Sequence, residues 1–299
     1  MTWTTLWTYW ARVYGEITHR RQRSEGEISN ARRGCGVAVV CPRCDPVVVR
    51  VALIADIHGN IAALDAVVDD IGRQRVDSVV NLGDLVSGGL HPRRTADRLM
   101  ALDFPTIAGN HDRYLLEQDP ESMGSWDRHA HDRLADEHRQ WLGSLPFSLE
   151  LGHGILAVHG TPTDDQQYFL HSVDANGSRE ATEAEILERA AGFTDRSVIA
   201  CGHTHLQRQW TLPSGTLVVN PGSVGTPAYD DDQPYPHVME SGSPHARYAV
   251  LDDHGRGSWT VSFELVEYDH VGAAADARAH GMNAIADALL TGFVGPAPR

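Results

Sequence analysis

The chain has 299 residues, of which 41% are hydrophobic and 22% charged, and its formal net charge at pH 7 is −15. This composition is that of a soluble globular protein, and no run of about eighteen apolar residues predicts a membrane span. The negative charge argues against a broad binding surface for nucleic acid or anionic lipid, because such surfaces need Lys and Arg. We therefore expect no membrane association and no stable nucleic-acid complex.

The four cysteines indicate a reducing compartment. They are too few and too unevenly spaced for a disulfide framework, so we expect a cytoplasmic protein. Cys41 and Cys44 have the spacing of half a zinc site, but a structural zinc ion needs four ligands and no second pair follows. We therefore assign no zinc site to this pair.

Residues 1–48 differ from the rest of the chain. Trp3, Trp7, Trp10 and Tyr14 fall at helical spacing, and a polar stretch follows them. The segment lacks the apolar core and the cleavage site of a signal peptide, which argues against export. We interpret it as a disordered extension, with a helix that binds a membrane surface or a partner as the alternative.

From Val49 onward the pattern predicts an α/β fold. Apolar runs alternate with helical stretches, which is typical of strand-helix-strand units. The runs are 49–55, 77–82 and 104–108, and the helical stretches are 61–72 and 92–102.

The later segments continue this layered pattern. Predicted strands are 147–151, 154–159, 197–201, 208–212, 216–220, 247–252 and 258–268. Predicted helices are 122–143, a helix that begins at the capping box of Thr182 and Glu185 and runs to about 191, and 271–290. Residues 226–246 are rich in Pro, Asp, Gly and Ser and predict a long loop. Because no linker interrupts the pattern, we expect one domain over 49–293.

Side chains that can bind metal follow five of the apolar runs. The motifs are "ADIHGN" with Asp56 and His58, "NLGD" with Asp84, "IAGNHD" with Asn110, His111 and Asp112, "AVHG" with His159, and "IACGHTH" with His203 and His205. In open α/β sheets the ligand crevice lies at the carboxyl ends of the strands, so these side chains are expected to converge.

Each motif taken alone has an ordinary explanation, because turn chemistry favours Gly, Asn and Asp after strands. His153, His171 and His245 lie in predicted loops, and we interpret them as surface histidines. Five strand-end motifs in one chain are more than turn chemistry explains. The repetition therefore favours a shared site.

The five blocks resemble the ordered signature of the calcineurin-like metallophosphoesterase superfamily. The resemblance extends from about Val49 to the last predicted helix, and "HGTP" (159–162) and "NPGSVG" (220–225) are similar to its compact bacterial branch of phosphoesterases and phosphodiesterases. It implies a two-sheet β-sandwich flanked by helices. Members of this branch begin close to the first strand, so residues 1–48 are also open to interpretation as a mis-assigned start.

The resemblance implies a role for each motif residue. One metal ion would be held by Asp56, His58 and His205, the other by Asn110, His159 and His203, with Asp84 bridging the two. His111 would lie beside the phosphate as a general acid, with Asp112 or another carboxylate to orient it. The chain lacks the Asp-Arg-Gly of the protein serine/threonine phosphatases and the tyrosine ligand of purple acid phosphatases, which argues against both activities.

This residue set suits phosphate ester hydrolysis. Two metal ions about 3.5 to 4 Å apart deprotonate a bridging water for in-line attack and clamp the phosphoryl oxygens. Four positive charges on the ions would exceed the two negative charges of Asp56 and Asp84, so the loaded site would be cationic. Imidazole and oxygen ligands suit Mn, Fe, Zn, Ni or Co, and we expect Mn²⁺.

Three functions stay open at this point. The first is a phosphodiesterase that acts on small or nucleotide-like esters. The second is a phosphomonoesterase or nucleotide pyrophosphatase that uses the same metal ions, since specificity would lie in pocket loops such as 84–95, 160–175 and 226–246. The third is a catalytically silent metal-dependent binding module. The sequence is compatible with a homo-oligomer but does not decide the oligomeric state.

Overall fold

The computed structural model describes residues 49–255 and 257–295. The interpretations of residues 1–48, including the aromatic helix and the cysteine pair, lie outside the described residues. Within the described ranges, no helix combines the length and the apolar character that crossing a membrane requires.

Strands and helices alternate along the described chain. The strands are β1 (Val49–Ile54), β2 (Ser78–Asn81), β3 (Ser148–Leu151), β4 (Ile155–Val158), β5 (His171–Asp174), β6 (Gly177–Glu180), β7 (Val198–Ala200), β8 (Gln207–Thr211), β9 (Leu217–Pro221), β10 (Ala228–Asp231), β11 (His237–Glu240), β12 (Ala246–Asp253) and β13 (Trp259–Val266). The α-helices are α1 (Ile61–Gln74), α2 (Pro92–Leu102), α3 (Asn110–Glu117), α4 (Ser125–His131), α5 (Asp136–Leu142), α6 (Glu183–Arg189), α7 (His270–Ala279) and α8 (Asn283–Thr291).

Nine of the described strands form two stacked sheets with their core between them, and the other four form the hairpins β5–β6 and β10–β11. One sheet has the order β13-β12-β1-β2 and the other β3-β4-β7-β9-β8. Buried apolar side chains from both fill the space between them, including Leu53 on β1, Ala157 on β4 and Val219 on β9. Helices cover outer faces, as α6 does where Ile186 packs with Leu156 and Val218 of the second sheet. This arrangement confirms the expected sandwich flanked by helices.

Parallel pairing brings the functional segments to one edge. β1 pairs in parallel with β2, and β4, β7 and β9 are parallel to one another. The motif residues follow the carboxyl ends of these strands, so they leave each sheet in the same direction. At that edge the backbone N–H of Asp56 donates to the carbonyl of Gly83, and Gly202 donates to His159, which joins neighbouring motifs directly.

Several predicted elements differ from the structure. Residues 104–108 form only one bridge, between Thr106 and Asn81, because the segment is short and Pro105 has no N–H to donate. The helix expected over 122–143 is two short helices, α4 and α5. The helix expected over 271–290 is broken at Gly281, whose φ is 80°.

Two hairpins were absent from the predicted elements. The expected loop 226–246 contains the β10–β11 hairpin. The β5–β6 hairpin was missed as well, although Asn176-Gly177 at its turn is a strong hairpin signal. Consequently the prediction of His171 as a surface residue is wrong, since it begins β5 and is only 7% exposed.

Candidate active site

The motif side chains converge into two adjacent groups. Asp56, His58 and His205 form one group, and Asp84, His159 and His203 form the other. Within each group, the atoms that could bind a metal ion lie within 4.8 Å of one another.

The two groups are continuous with each other. Within the first, the Nε2 atoms of His58 and His205 are 3.1 Å apart, and within the second His159 Nε2 is 3.3 Å from Asp84 Oδ2. The same Asp84 oxygen is 3.8 Å from His58 Nε2 in the first group. Asp84 therefore lies between the groups, where a bridging carboxylate would be needed.

Backbone carbonyls fix the imidazole rings. The Nδ1 atoms of His58, His159 and His205 contact the carbonyl oxygens of Ser87, Leu82 and Thr226 at 3.0, 2.7 and 2.8 Å, respectively. A ring whose Nδ1–H donates to a carbonyl keeps a lone pair on Nε2, which is the form that binds metal. His203 is held the other way round, because its Nε2 lies 2.9 Å from the carbonyl of Gln166 and its Nδ1 is left for a ligand.

Strained backbone conformations mark the same residues. Five site residues that are not glycine have positive φ angles: Asp56 (54°), His58 (48°), Asp84 (55°), His203 (71°) and His205 (60°). Side chains with a Cβ rarely adopt this left-handed conformation, and it concentrates at functional sites where the surrounding fold holds it. The strain supports a functional origin for the cluster.

Two of the buried side-chain polar atoms that make no hydrogen bond among the described residues belong to the site. His159 Nε2 and Asn110 Oδ1 make no hydrogen bond, although the residues are only 1% and 4% exposed. An unsatisfied buried polar group is costly, and a bound cation would satisfy both atoms. With imidazole, carboxylate and amide donors aimed at one place, the residues fit divalent transition metal ions.

A close backbone approach keeps Asn110 next to Asp84. A Cβ on Gly109 would lie 2.1 Å from Asp84 Oδ1, so only glycine is tolerated there. This contact places the beginning of α3 against the end of β2. Asn110 is thus delivered at a helix start rather than at a strand end.

His111 is bound on both its backbone and its ring. Its backbone N–H donates to Asp84 Oδ1 at 3.0 Å. Its ring Nδ1 is 2.7 Å from Asp127 Oδ1 and 3.2 Å from Ser87 Oγ. The indole of Trp126 stacks on the ring at 6.2 Å between centroids.

Of the expected options for orienting His111, Asp112 or another carboxylate, the contacts favour another carboxylate, Asp127. The Asp112 carboxylate accepts hydrogen bonds from the backbone N–H groups of Asp84, Leu85 and Gly109 at 2.9, 3.1 and 3.0 Å. Asp112 therefore ties α3 to the end of β2, while Asp127 holds the ring. Asp127 was missed because it lies on α4, outside every motif.

The charged groups of the site shift one another's pKa values. Burial alone would lower the pKa of His159, but the neighbouring Asp84 carboxylate raises it to about 10. The same contact holds the pKa of Asp84 well below its usual range despite burial. Burial also opposes protonation of His111, yet Asp84 and the hydrogen bond to Asp127 raise its pKa to about 9.

The other imidazoles of the site are neutral. Burial lowers the pKa of His58 to about 4 and that of His203 to about 3, and it lowers the pKa of His205 as well. Neutral imidazole is the form that binds metal. Before metal binds, the site therefore combines three neutral imidazoles, those of His58, His203 and His205, with two rings, His159 and His111, whose protonated form the Asp84 carboxylate favours.

Comparison with known protein families identifies the superfamily to which the chain belongs. A family model described as the calcineurin-like phosphoesterase superfamily domain matches residues 49–240, more than half of the chain. The chain belongs to this superfamily. The membership confirms the resemblance drawn from the five sequence blocks.

Individual proteins similar to this phosphoesterase come from archaea and bacteria. An uncharacterized protein of Methanocaldococcus jannaschii is 24% identical over 243 residues, which are 73% of this chain and 88% of that protein. A metallophosphoesterase structure from Sphaerobacter thermophilus is 25% identical with a TM-score of 0.63, covering 82% of this chain and 99% of its own. A hypothetical protein from Pyrococcus horikoshii OT3 shares the fold at 20% identity, with a TM-score of 0.65 and coverage of 82% and 99%.

The phosphoesterase site opens into a cleft of about 850 Å³. Its inner end is lined by His58, Asp84, Asn110, His111, His203 and His205. Its outer walls come from α4, the segment 164–168, the start of β5, α6 and β10 with the residues after it. Sequence motifs located the inner end. Of the outer walls, the helices α4 and α6 lie within predicted helices, whereas the strands β5 and β10 were not predicted.

Proposed function

We propose that the chain is a phosphodiesterase that uses two divalent metal ions to hydrolyse small or nucleotide-like phosphodiesters. The observation that carries the proposal is the pair of adjacent ligand groups, with the ring of His111 bound beside Asp84. Superfamily membership makes a phosphoester hydrolase the reaction class that this geometry supports.

The proposed metal ligands follow the two groups in the structure. Asp56, His58 and His205 would hold one ion, and His159 and His203 the other, with Asp84 between them. Asn110, whose buried Oδ1 makes no hydrogen bond, would complete the second set. When bound, two such ions supply a nucleophile from water near neutral pH and neutralise the phosphoryl oxygens. The mixed nitrogen and oxygen donors suit Mn, Fe, Zn, Ni and Co, and of these we propose Mn²⁺.

His111 is proposed to protonate the leaving group. In hydrolysis a water oxygen forms a bond to phosphorus, the bond from phosphorus to the alcohol oxygen breaks, and that oxygen takes up a proton. The Nδ1 of His111 is engaged by Asp127, so the proton for transfer is the one on Nε2. The raised pKa of His111, about 9, keeps the ring protonated at neutral pH.

The test is metal add-back to stripped protein. Hydrolysis of bis(p-nitrophenyl) phosphate and of p-nitrophenyl phosphate is measured with Mn²⁺, Ni²⁺, Zn²⁺ or Mg²⁺ added separately, with metal loading checked by elemental analysis. We expect the metal to restore turnover of the diester. Faster turnover of the monoester would assign the site to a phosphomonoesterase, and no turnover despite full loading would favour a binding module.

The role of His111 has its own test. A His111→Gln protein should keep both metal ions but lose about 100-fold or more in kcat for a diester with an alkyl leaving group, the range expected for a general acid. Metal content and kcat are measured on the same sample. Full hydrolysis by a loaded His111→Gln protein would refute the acid role while leaving the metal site in place.

A further inference from the structure

Three carboxylates without a cationic partner lie along the outer part of the cleft. Asp164 precedes the wall formed by residues 166–168, and Asp230 and Asp231 end β10. All three are exposed, and among the described residues none has a Lys, Arg or His nitrogen within 4 Å. Asp164 and Asp231 accept backbone hydrogen bonds from Gln166 and Gln233, which fixes their orientation.

The only arginine among the described cleft residues supplies one positive charge against these three carboxylates. Arg189 donates through Nη1 to the carbonyls of Phe169 and His171, both at 2.9 Å. Its Nη2 donates to Ser172 Oγ at 2.8 Å. These contacts occupy the guanidinium in holding the start of β5 against α6. The outer cleft therefore presents net negative charge to a bound molecule.

Aromatic rings lie between the metal-ligand groups and these carboxylates. The hydroxyl oxygens of Tyr168 and Tyr229 are 2.6 Å apart. The Tyr168 ring packs at 4.8 Å from His203 and the Tyr229 ring at 4.6 Å from His205, measured between centroids. Asp231 lies two residues after Tyr229 on β10, which puts both side chains on the same face of the strand, so aromatic and anionic groups adjoin. This combination attracts organic cations, since a ring face and a carboxylate both stabilise an ammonium group.

We infer that the outer cleft selects esters with a single phosphate and an ammonium group on the organic part, and disfavours esters with a second anionic group. The inference rests on the proposed function and narrows its substrate class. A phosphate at the inner end would place the adjoining organic group beside Tyr168 and Asp231. A second phosphate or a carboxylate placed there would be repelled.

Two matched esters test this selectivity. sn-Glycero-3-phosphoethanolamine and sn-glycero-3-phosphoserine differ by one carboxylate, and their hydrolysis by the Mn²⁺-loaded protein is followed by phosphorus NMR. We expect kcat/KM to be about tenfold higher for the ethanolamine ester at low salt, as electrostatic selection by exposed carboxylates predicts. The ratio should fall in about 0.5 M salt, because exposed charges are screened.

A double substitution identifies the groups responsible. Asp230→Asn with Asp231→Asn removes two charges while an amide oxygen can still accept from Gln233, and we expect it to bring the ratio close to one. Asp232→Asn is the matched control: Asp232 is the next residue and exposed, but it does not line the cleft, so this variant should keep the parent ratio.

The outcomes separate the two proposals. Equal kcat/KM for both esters, or a ratio unchanged by the double substitution, overturns the selectivity and leaves the phosphodiesterase in place if bis(p-nitrophenyl) phosphate is still hydrolysed. Absence of turnover for all three esters by fully loaded protein overturns the proposed function and this inference with it.

Discussion

The inner and outer parts of the cleft are built in different ways. At the inner end, buried side chains follow the ends of β1, β2, β4 and β7, and backbone carbonyls fix the rings. The residues after β1, β2 and β7 have left-handed backbone conformations. The outer walls are short helices and hairpins whose cleft residues include exposed carboxylates. The difference indicates that the two sheets position the proposed metal ligands. The short helices and hairpins of the outer walls would then determine the proposed substrate selectivity.

The largest expected loss of activity follows substitution of Asp84, which lies between the two ligand groups. Asp84→Asn removes the charge between them, and we expect diester kcat to fall by about 1,000-fold or more, in line with the loss of a major electrostatic contribution. Kinetics and metal content are measured together, with Asp232→Asn as the control. Near-parental kcat in Asp84→Asn would show that the inner end is not the reactive site.

Asp127 connects the two parts of the cleft. It lies on α4 in the outer wall, and its carboxylate holds the ring of His111 at the inner end. Asp127→Asn should lower kcat about 10- to 100-fold for diesters with an alkyl leaving group, which need a proton. The loss should be only a few-fold when the leaving group is p-nitrophenolate. Equal losses for both leaving groups would contradict a role through His111. Asp136→Asn, an exposed residue of α5, is the control.

The buried His171 in the outer wall should make the free energy of unfolding depend on pH. Burial, with Arg208 and Arg189 nearby, lowers its pKa to about 4. In the unfolded chain the pKa of a histidine is about 6.5. Between pH 6.5 and pH 4 the unfolded chain therefore binds more protons than the folded protein. The stability that is present above pH 6.5 is lost as the pH falls toward 4. His171→Gln should remove about 2 kcal/mol of this pH dependence.

The measurement for His171 is chemical denaturation at pH 6.5 and pH 4.5. The exposed His153 supplies the control variant His153→Gln, which should keep the pH dependence of the parent protein. If His171→Gln shows the same pH dependence as the parent, the titration of His171 does not contribute to stability.

The smallest expected effect is at the start of α6. The Thr182 side chain accepts from the backbone N–H of Glu185 at 3.3 Å, and Glu185 accepts from the backbone N–H of Thr182 at 2.7 Å. Thr182→Ala should lower the free energy of unfolding by about 1 kcal/mol, and Thr182→Ser should restore it. Denaturant titration of both variants checks the capping role, and equal stability of Ala and Ser would contradict it.

Sequence reasoning worked where local chemistry fixes the structure. Strand-end motifs such as Asp56-x-His58 combine a buried strand with a turn residue, so both position and chemistry can be read from a few residues. The capping box at Thr182 was equally local and was confirmed. The convergence of the blocks followed from parallel pairing, which the alternation of strands and helices implies.

The outer walls could not be predicted in the same way. Asp127 reaches His111 across sixteen residues of chain, and no spacing rule connects them. The β10–β11 hairpin was hidden by Pro and Asp residues that usually indicate a loop. In both cases long-range packing decides the outcome, and a local pattern does not contain that information.

The residues with left-handed backbone conformations also restrict movement at the inner end of the cleft. Asp56, His58 and Asp84 each redirect the chain within a single residue, so no flexible loop separates these side chains from their strands. A segment without such a loop has no hinge about which to swing. Opening that admits an ester or releases an alcohol must therefore come from the hairpins and short helices of the outer walls, and its rate is set by their packing.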